Sequence, residues 1–278
     1  MFIFGLGYTA GRFAQELRSR GWRVDATGSA GNIAFDDAGA VMAALARADH
    51  ILSSVPPDDG GDPVLQDFGE ALGGKWLGYL SSTGVYGDAE GAWVDESSPT
   101  GGGRRTARSE ADREWLQRGA RVFRLPGIYG PGRSIFDRLK AGKAHRIDMP
   151  GQVFSRVHVD DIVAGLVAAI ENGAPPGAYN LSDDLPESQN AVVEEAARLL
   201  GIAPPRLQSI EEANLSPMAR GFYAENRRVA NGRAKRVLDW APRYPTYREG
   251  LAAIRALALP DGVEARRAPA SPRPFPSA

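Results

Sequence analysis

The sequence predicts a doubly wound α/β fold, a parallel sheet with helices on both faces, followed by a small, mostly helical C-terminal lobe. Three observations carry this. Short apolar runs alternate with amphipathic segments through the first half. A glycine-rich turn joins the first apolar run to the first helical segment. The second half is less regular and richer in helical pattern, and no internal repeat is visible.

Strands are predicted at 2–4, 22–27, 32–35, 49–55, 76–82 and 121–125, and helices at 10–20, 38–47, 63–73 and 105–118. In the first helix Phe13, Leu17 and Arg18 share a face with Ala14 beside them, and Gly21 ends it. Further on, 158–172 reads as a helix with Ile162, Leu166 and Ala169 on one side, and 177–182 as a strand. Residues 187–201 form an amphipathic helix carrying Val192, Val193, Ala196, Leu199 and Leu200, stopped by Gly201, and a last helix covers 246–258. The Pro, Ala, Arg and Ser text of 259–278 cannot bury a core and is expected to be a disordered tail.

Bulk properties exclude several classes. The chain has 278 residues, 43% hydrophobic and 24% charged, with a formal net charge of -1, so no general field draws it to nucleic acid or to a membrane surface. It has no cysteine, which excludes disulfides, thiolate chemistry, zinc–thiolate sites and iron–sulfur clusters. His50, His145 and His158 lie far apart, and no metal site is expected. Met1 runs straight into Phe2-Ile3-Phe4 and glycine, so no signal peptide is expected; no apolar run approaches the ~20 residues of a membrane span. A cytoplasmic location is the simplest expectation. Lys75, Lys140, Lys143 and Lys235 are the only lysines.

Gly5-Leu6-Gly7-Tyr8-Thr9-Ala10-Gly11 follows the first strand and opens the first helix. This is G-x-G-x-x-(G/A) in its required context. Gly5 permits the tight turn, Gly7 lets backbone approach a pyrophosphate, and Ala10 lets the helix pack closely. The helix N-terminus turns free N–H groups and its positive dipole end toward the phosphates. Gly5, Gly7, Tyr8, Thr9 and Ala10 are therefore expected to hold the pyrophosphate of NAD or NADP in a Rossmann-type fold. At the end of the second strand, Thr27, Gly28 and Ser29 should stand by the adenosine ribose, with Asp25 too early in the strand. Neither an acid nor an arginine stands at that tip, which gives a slight preference to NADP. Residues 1–180 are expected to form the dinucleotide-binding domain, with 131–155 contributing to the lobe formed by 181–258.

Four further blocks occur in order. They are Tyr79-Leu80-Ser81-Ser82-Thr83-Gly84-Val85-Tyr86-Gly87, Arg124-Leu125-Pro126-Gly127-Ile128-Tyr129-Gly130-Pro131-Gly132, Phe154-Ser155-Arg156-Val157-His158-Val159-Asp160-Asp161, and Tyr179-Asn180-Leu181. Together they resemble the extended short-chain dehydrogenase/reductases, the epimerase/dehydratase branch, over roughly residues 1–258. The resemblance implies that Ser53, Ser54 and Val55 line the cofactor, Ser81 and Ser82 the nicotinamide, and Pro126, Gly127 and Ile128 its carboxamide. It also implies a Ser/Thr, a Tyr and a Lys as catalytic groups. The Ser/Thr falls at Ser82. The Tyr and Lys positions, one helical turn apart, fall at Thr106 and Glu110. A threonine hydroxyl does not ionise usefully near neutral pH, and a glutamate has the wrong charge to lower a neighbour's pKa. The chain thus resembles atypical members that keep the cofactor fold and lose the catalytic pair.

Other candidates have two readings each. Glu110 is either an acid/base or a solvated carboxylate paired with Arg108 or Arg113. Arg104, Arg105 and Arg108 either bind an anionic substrate or form a solvated face. Tyr86 and Tyr129 either replace the missing phenol at the substrate or pack their loops. His158, Asp160 and Asp161 fit a structural turn in which an Asp caps the following helix, and Arg156 is a further substrate-anion candidate. Asn226–Asn231 and Trp240–Pro245, by resemblance, help to close the substrate cleft. The expected partner is a small molecule, anionic or sugar-like; a homodimer is allowed, and nucleic acid and membrane are not expected. Two functions follow: an NAD(P)-dependent oxidoreductase or sugar-modifying enzyme with non-standard acid/base residues, or a catalytically inactive NAD(P)-binding sensor or interaction protein.

Overall fold

The computed structural model describes residues 1–103 and 106–257. Arg104, Arg105 and the tail expected to be disordered lie outside the described residues. In chain order the elements are β1 (Phe2–Phe4), α1 (Tyr8–Ser19), β2 (Asp25–Ala26), α2 (Ala38–Ala46), β3 (His50–Ser53), α3 (Pro63–Phe68), β4 (Trp76–Ser82), β5 (Trp93–Val94), α4 (Thr106–Gln117), β6 (Arg121–Leu125), β7 (Gly127–Tyr129) and α5 (Ile135–Lys140). They continue with β8 (Arg146–Ile147), β9 (Arg156–His158), α6 (Val159–Glu171), β10 (Gly177–Asn180), α7 (Gln189–Leu200), β11 (Leu207–Gln208), α8 (Pro217–Phe222), β12 (Arg228–Val229), α9 (Gly232–Leu238) and α10 (Tyr247–Leu257).

Six strands form one parallel sheet in the order β10-β6-β4-β3-β1-β2. The chain moves from β1 out to β2, then returns to the other side of β1 as β3. The order therefore reverses between β1 and β3, and the crevice for a ligand opens at the carboxyl ends of those strands. This is the doubly wound fold expected.

Both sheet faces are buried. On one, Phe13 and Leu17 of α1 and Ile162 and Leu166 of α6 cover Ile3, Leu52 and Phe123, joined by Leu238 and Trp240 from beyond α7. On the other, Val41, Leu45, Val64, Phe68 and Trp115 cover Phe2, Phe4, Ile51, Tyr79 and Val122. A separate cluster joins Ile135 and Phe136 of α5, Val192, Val193 and Ala196 of α7, and Tyr247, Leu251 and Ile254 of α10. This is the helical lobe, and it forms the far wall of the crevice.

Several boundaries depart from the sequence expectation. There is no strand at 32–35: Ile33 makes one isolated bridge to Thr27. The Asn32 side chain instead accepts from Ala26 N–H at 2.9 Å and donates to Asp25 at 3.0 Å, sealing the edge of β2. β2 itself is two residues long rather than 22–27, because Trp22 N–H turns back to Leu17 O at 3.0 Å. The helix expected over 63–73 is α3 followed by a 3₁₀ turn at Gly69–Leu72. Asp62 caps α3, accepting from Val64 and Leu65 N–H with Pro63 in the first turn, as helix starts favour. The cap of α6 is also corrected. His158 itself is the N-cap, its Nδ1 accepting from Asp160 N–H at 3.2 Å. Asp161 instead accepts from Arg243 and Tyr244 N–H at 2.6 and 3.2 Å.

Candidate functional site

The glycine loop lies in the crevice. Gly5 adopts φ +81°, and a Cβ there would stand 3.1 Å from both Ser54 Oγ and Val55 Cγ2. Gly28, at φ +104°, brings its Cα so near the loop that a Cβ would meet Leu6 N at 2.8 Å. Gly7 differs: a Cβ there would meet nothing within 4 Å, so its outward side faces open space. Gly7 is the N-cap of the twelve-residue α1, and no side chain caps that terminus. The first-turn N–H groups and the positive dipole end thus point into an empty cradle, an arrangement suited to an anion.

Neighbours of the loop divide into supports and walls. Thr27 is buried; its Oγ1 accepts from Gly5 N–H at 3.1 Å and its carbonyl from Leu6 N–H at 2.8 Å, so it anchors the loop. Ser54 N–H donates to Phe4 O at 2.9 Å, and Ser54 Oγ donates to Gly5 O. Ser53 is fully buried, and its Oγ has no hydrogen-bond partner. Ser29 is exposed at the strand tip. Tyr8 reaches sideways, its phenol donating to Pro131 O at 3.0 Å, while the Arg12 and Arg133 guanidinium carbons lie 5.3 and 5.8 Å from its ring centre.

A buried polar network underlies the end of β4. Asp112 of α4 accepts from Ser81 Oγ at 2.6 Å, from Arg124 Nε at 3.1 Å and from Arg124 Nη2 at 2.7 Å. Arg124 Nη1 donates to Tyr86 Oη at 3.0 Å, and that phenol donates to Asn180 Oδ1 at 2.7 Å. Tyr86 is therefore a structural hydrogen-bonding group inside its loop, away from the cleft. Burial raises its pKa, against the neighbouring Arg124 charge. Ser82, next to Ser81, caps the 3₁₀ turn Thr83–Tyr86 by accepting from Gly84 N–H at 3.1 Å. Its hydroxyl proton is left for another acceptor.

Beyond Ser82 opens a cleft of about 950 Å³ between the sheet and the helical lobe. Ser81, Ser82, Pro126, Gly127, Ile128, Tyr129 and Arg156 line it. Thr106 and Glu110 do not line it: both are exposed on α4, while Arg108 between them faces the cleft. Among the described residues, Glu110 makes no ion pair with Arg108 or Arg113. Arg156 is buried and donates to Phe154 O, Glu187 O, Ser188 O and Gln189 Oε1, at 2.8, 2.8, 3.4 and 3.1 Å. Its terminal nitrogens are thereby committed to the protein.

Tyr129 packs its phenol against Gly250, where a Cβ would clash with its oxygen. Its hydroxyl is buried without a partner, and burial raises its pKa further from neutrality. Burial pushes the imidazole of His158 down to about 4 and the carboxyl of Asp161 up to about 6. Sequence reasoning missed His145, which lines the cleft and holds its Nδ1 3.0 Å from Gln208 Nε2. It also missed Arg133 and Arg138, which line the same cleft from the segment leading into α5 and from α5 itself. Isolated residues in a loop-rich segment carry no spacing signal.

No family profile matches the chain. A 3-diazoavenalumate denitrifying reductase of a Streptomyces species is 33% identical over 174 residues, 57% of this chain and 55% of that protein. Protein YeeZ of Escherichia coli K12 is 31% identical over 163 residues, 55% of this chain and 54% of that protein. The chain thus spans about half the length of the curated relatives it matches. A conserved protein of unknown function from Silicibacter pomeroyi has a solved structure that is 40% identical, covers 92% of this chain and 98% of its own, and superposes with a TM-score of 0.83. The human epimerase family protein SDR39U1, solved with NADPH, has 16% identity and a TM-score of 0.74 over 92% of this chain and 99% of its own. The dTDP-glucose 4,6-dehydratase of Bacillus anthracis, solved with NAD, has 16% identity and a TM-score of 0.72 over 92% and 96%. The sheet order and the glycine loop thus belong to the Rossmann-type fold that these epimerase/dehydratase structures share, and Thr106 and Glu110 stand where the sequence comparison expects a Tyr/Lys pair.

Proposed function

We propose that this chain is an NAD(P)-dependent oxidoreductase that acts on a small anionic or sugar-like molecule without the usual tyrosine acid/base. The observation that carries this is the cleft itself: the residues expected at the nicotinamide, Ser81 and Pro126 to Ile128, open directly into a formed cavity walled by the helical lobe. A protein that only sensed a dinucleotide has no need of that cavity. Solved relatives of the same fold hold NAD or NADPH, which supports a nicotinamide cofactor. The cradle at Gly7 suits the group on geometry alone.

In this reading Gly5, Gly7, Tyr8, Thr9 and Ala10 bind the pyrophosphate, and Ser53, Ser54 and Val55 back the cofactor. Thr27, Gly28 and Ser29 stand at the adenosine ribose. The absence of a carboxylate there favours NADP. The nicotinamide ring supplies hydride chemistry when bound. Ser82 directs its hydroxyl proton to the substrate's reacting oxygen and fixes its orientation. Thr106 and Glu110, at the places of the lost pair, supply no group suited to moving a proton at neutral pH. The substrate must therefore tolerate slow or solvent-supplied protonation.

A turnover screen tests this. Purified protein with NADPH or NADH is offered a broad panel of sugars, ketones and other electrophiles, and absorbance of the reduced cofactor is followed. Oxidation of the cofactor dependent on one substrate class supports the reading. Tight cofactor binding with no hydride transfer across the panel would leave the sensor as the better description.

A further inference from the structure

The cleft carries a second, chemical message. Arg108 is half-buried on α4, and its Nη1 donates to Tyr79 Oη at 2.8 Å and to Leu80 O at 3.4 Å. These contacts hold the guanidinium against β4, on the wall of the cleft that Ser82 also lines. Among the described residues, no carboxylate lies within ion-pair distance of it. A partly desolvated cation with neutral partners only is unfavourable unless something anionic completes it.

The carboxylates that share the cleft are engaged elsewhere. Asp137 accepts from Ser134 N and Oγ, both at 3.0 Å, and Glu225 pairs with Arg227 at 2.7 Å. Part of the remaining wall, beside Arg133, Arg138, His145 and Arg227, is an apolar stretch. Val153, Phe154, Val192, Leu215 and Tyr223 line it, with the Phe154 and Tyr223 rings edge to face at 5.4 Å. A polyhydroxylated ring needs several acceptors and donors converging on it, because each unpaired hydroxyl in such a pocket costs affinity. The stretch around Phe154 and Tyr223 supplies few. It suits a flat or aliphatic body instead, which gains by area and by contact with the ring faces.

We infer that the substrate is an organic acid with an apolar body, its carboxylate held by Arg108 and its body laid along Phe154 and Tyr223. The inference rests on the enzyme reading above and narrows its substrate class from anionic or sugar-like to one chemistry.

The test is a binding measurement and needs no turnover. Cinnamate and hexanoate are titrated calorimetrically into the full protein, with and without NADPH, alongside cinnamamide, hexanamide, UDP-glucose and inorganic phosphate. Both acids should bind, and each amide should be about 10- to 100-fold weaker. Arg108→Gln should weaken the acids by a similar factor and leave the amides unchanged. Arg108→Lys, which keeps the charge and loses the fork, should fall between. Arg133→Gln and Arg138→Gln should bind the acids as the wild type does.

The inference is overturned if acids and amides bind alike, if neither acid binds, or if UDP-glucose or phosphate binds more tightly than the acids. It is overturned equally if Arg138→Gln, and not Arg108→Gln, removes the preference. A separate NADPH titration by fluorescence tests the cofactor reading and confirms that each variant is folded. Loss of NADPH binding in the wild type with the acids still bound would sink the enzyme reading alone; the converse would sink the substrate class alone.

Discussion

Asp112→Asn should destabilise the protein by about 3–5 kcal/mol, the usual cost of removing one partner from a buried ion pair. Asp112 and Arg124 are 1% and 3% exposed, so water cannot replace what is lost. The carboxylate receives three hydrogen bonds, at 2.6, 3.1 and 2.7 Å, two of them from the guanidinium. Charge-assisted bonds of this kind contribute about 1.5–3 kcal/mol each, and the amide retains one weaker oxygen acceptor, which sets the upper bound. Urea unfolding at neutral pH, followed by far-UV circular dichroism, measures the change. The double variant Asp112→Leu/Arg124→Met removes both charges together and should lose less than half as much. The reasoning fails if Asp112→Asn costs under about 1 kcal/mol, or if the double variant costs the full sum of the singles.

Other expectations are narrower. Gly7→Asp should leave the free energy of urea unfolding within about 1 kcal/mol of wild type, because its side chain enters open space, yet should abolish NADPH binding by placing a carboxylate among the phosphates. Retained binding in a fluorescence titration would remove the cradle from the cofactor site. Ser82→Ala should cost about 1 kcal/mol through the lost cap on Gly84 and should depress turnover while cofactor affinity stands; unchanged turnover would remove Ser82 from the chemistry. His158→Asn should flatten the pH dependence of stability. Burial lowers the native imidazole pKa to about 4, below its ordinary 6.5, so the unfolded chain binds the extra proton as pH falls from 6.5 toward 4. Stability from the neutral ring is present above 6.5 and is lost over that window. Asparagine keeps a capping group and cannot titrate. An unchanged slope in urea midpoints between pH 4.5 and 7 would refute this.

The sheet was legible from sequence because its strands alternate with helices whose apolar faces repeat every three or four residues. Phe13 and Leu17, or Val192 and Ala196, mark their own burial. The glycine loop was legible because its context, strand before and helix after, is local. What escaped is built from short or long-range pieces. β5 and β12, or β8 and β11, are two-residue pairings that carry no period. The 32–35 stretch looks like a strand until the Asn32 side chain replaces its ladder. Arg108 was visible as a cation, but its distinction from Arg113 is which side of α4 meets Tyr79, a tertiary fact. Tyr86 reads either as a substitute phenol or as a loop-packing group, and Arg156 as a substrate-anion ligand. Only the folded structure shows their partners, Asn180 and the 187–189 turn, more than thirty residues away.

The Asp161 carboxylate closes a loop of the chain on itself. It holds the backbone of Arg243 and Tyr244, its own carbonyl accepts from Trp240 Nε1 at 3.0 Å, and Leu238 and Trp240 lie in the core beneath the sheet. The last segments are thus part of what makes the first ones stable. A polypeptide ending near residue 180 would keep every residue of the glycine loop and most of the sheet, yet expose the α6 face and leave a buried acid without partners. The sheet and the segment that follows the helical lobe are thus tied together by contacts more than seventy residues apart along the chain.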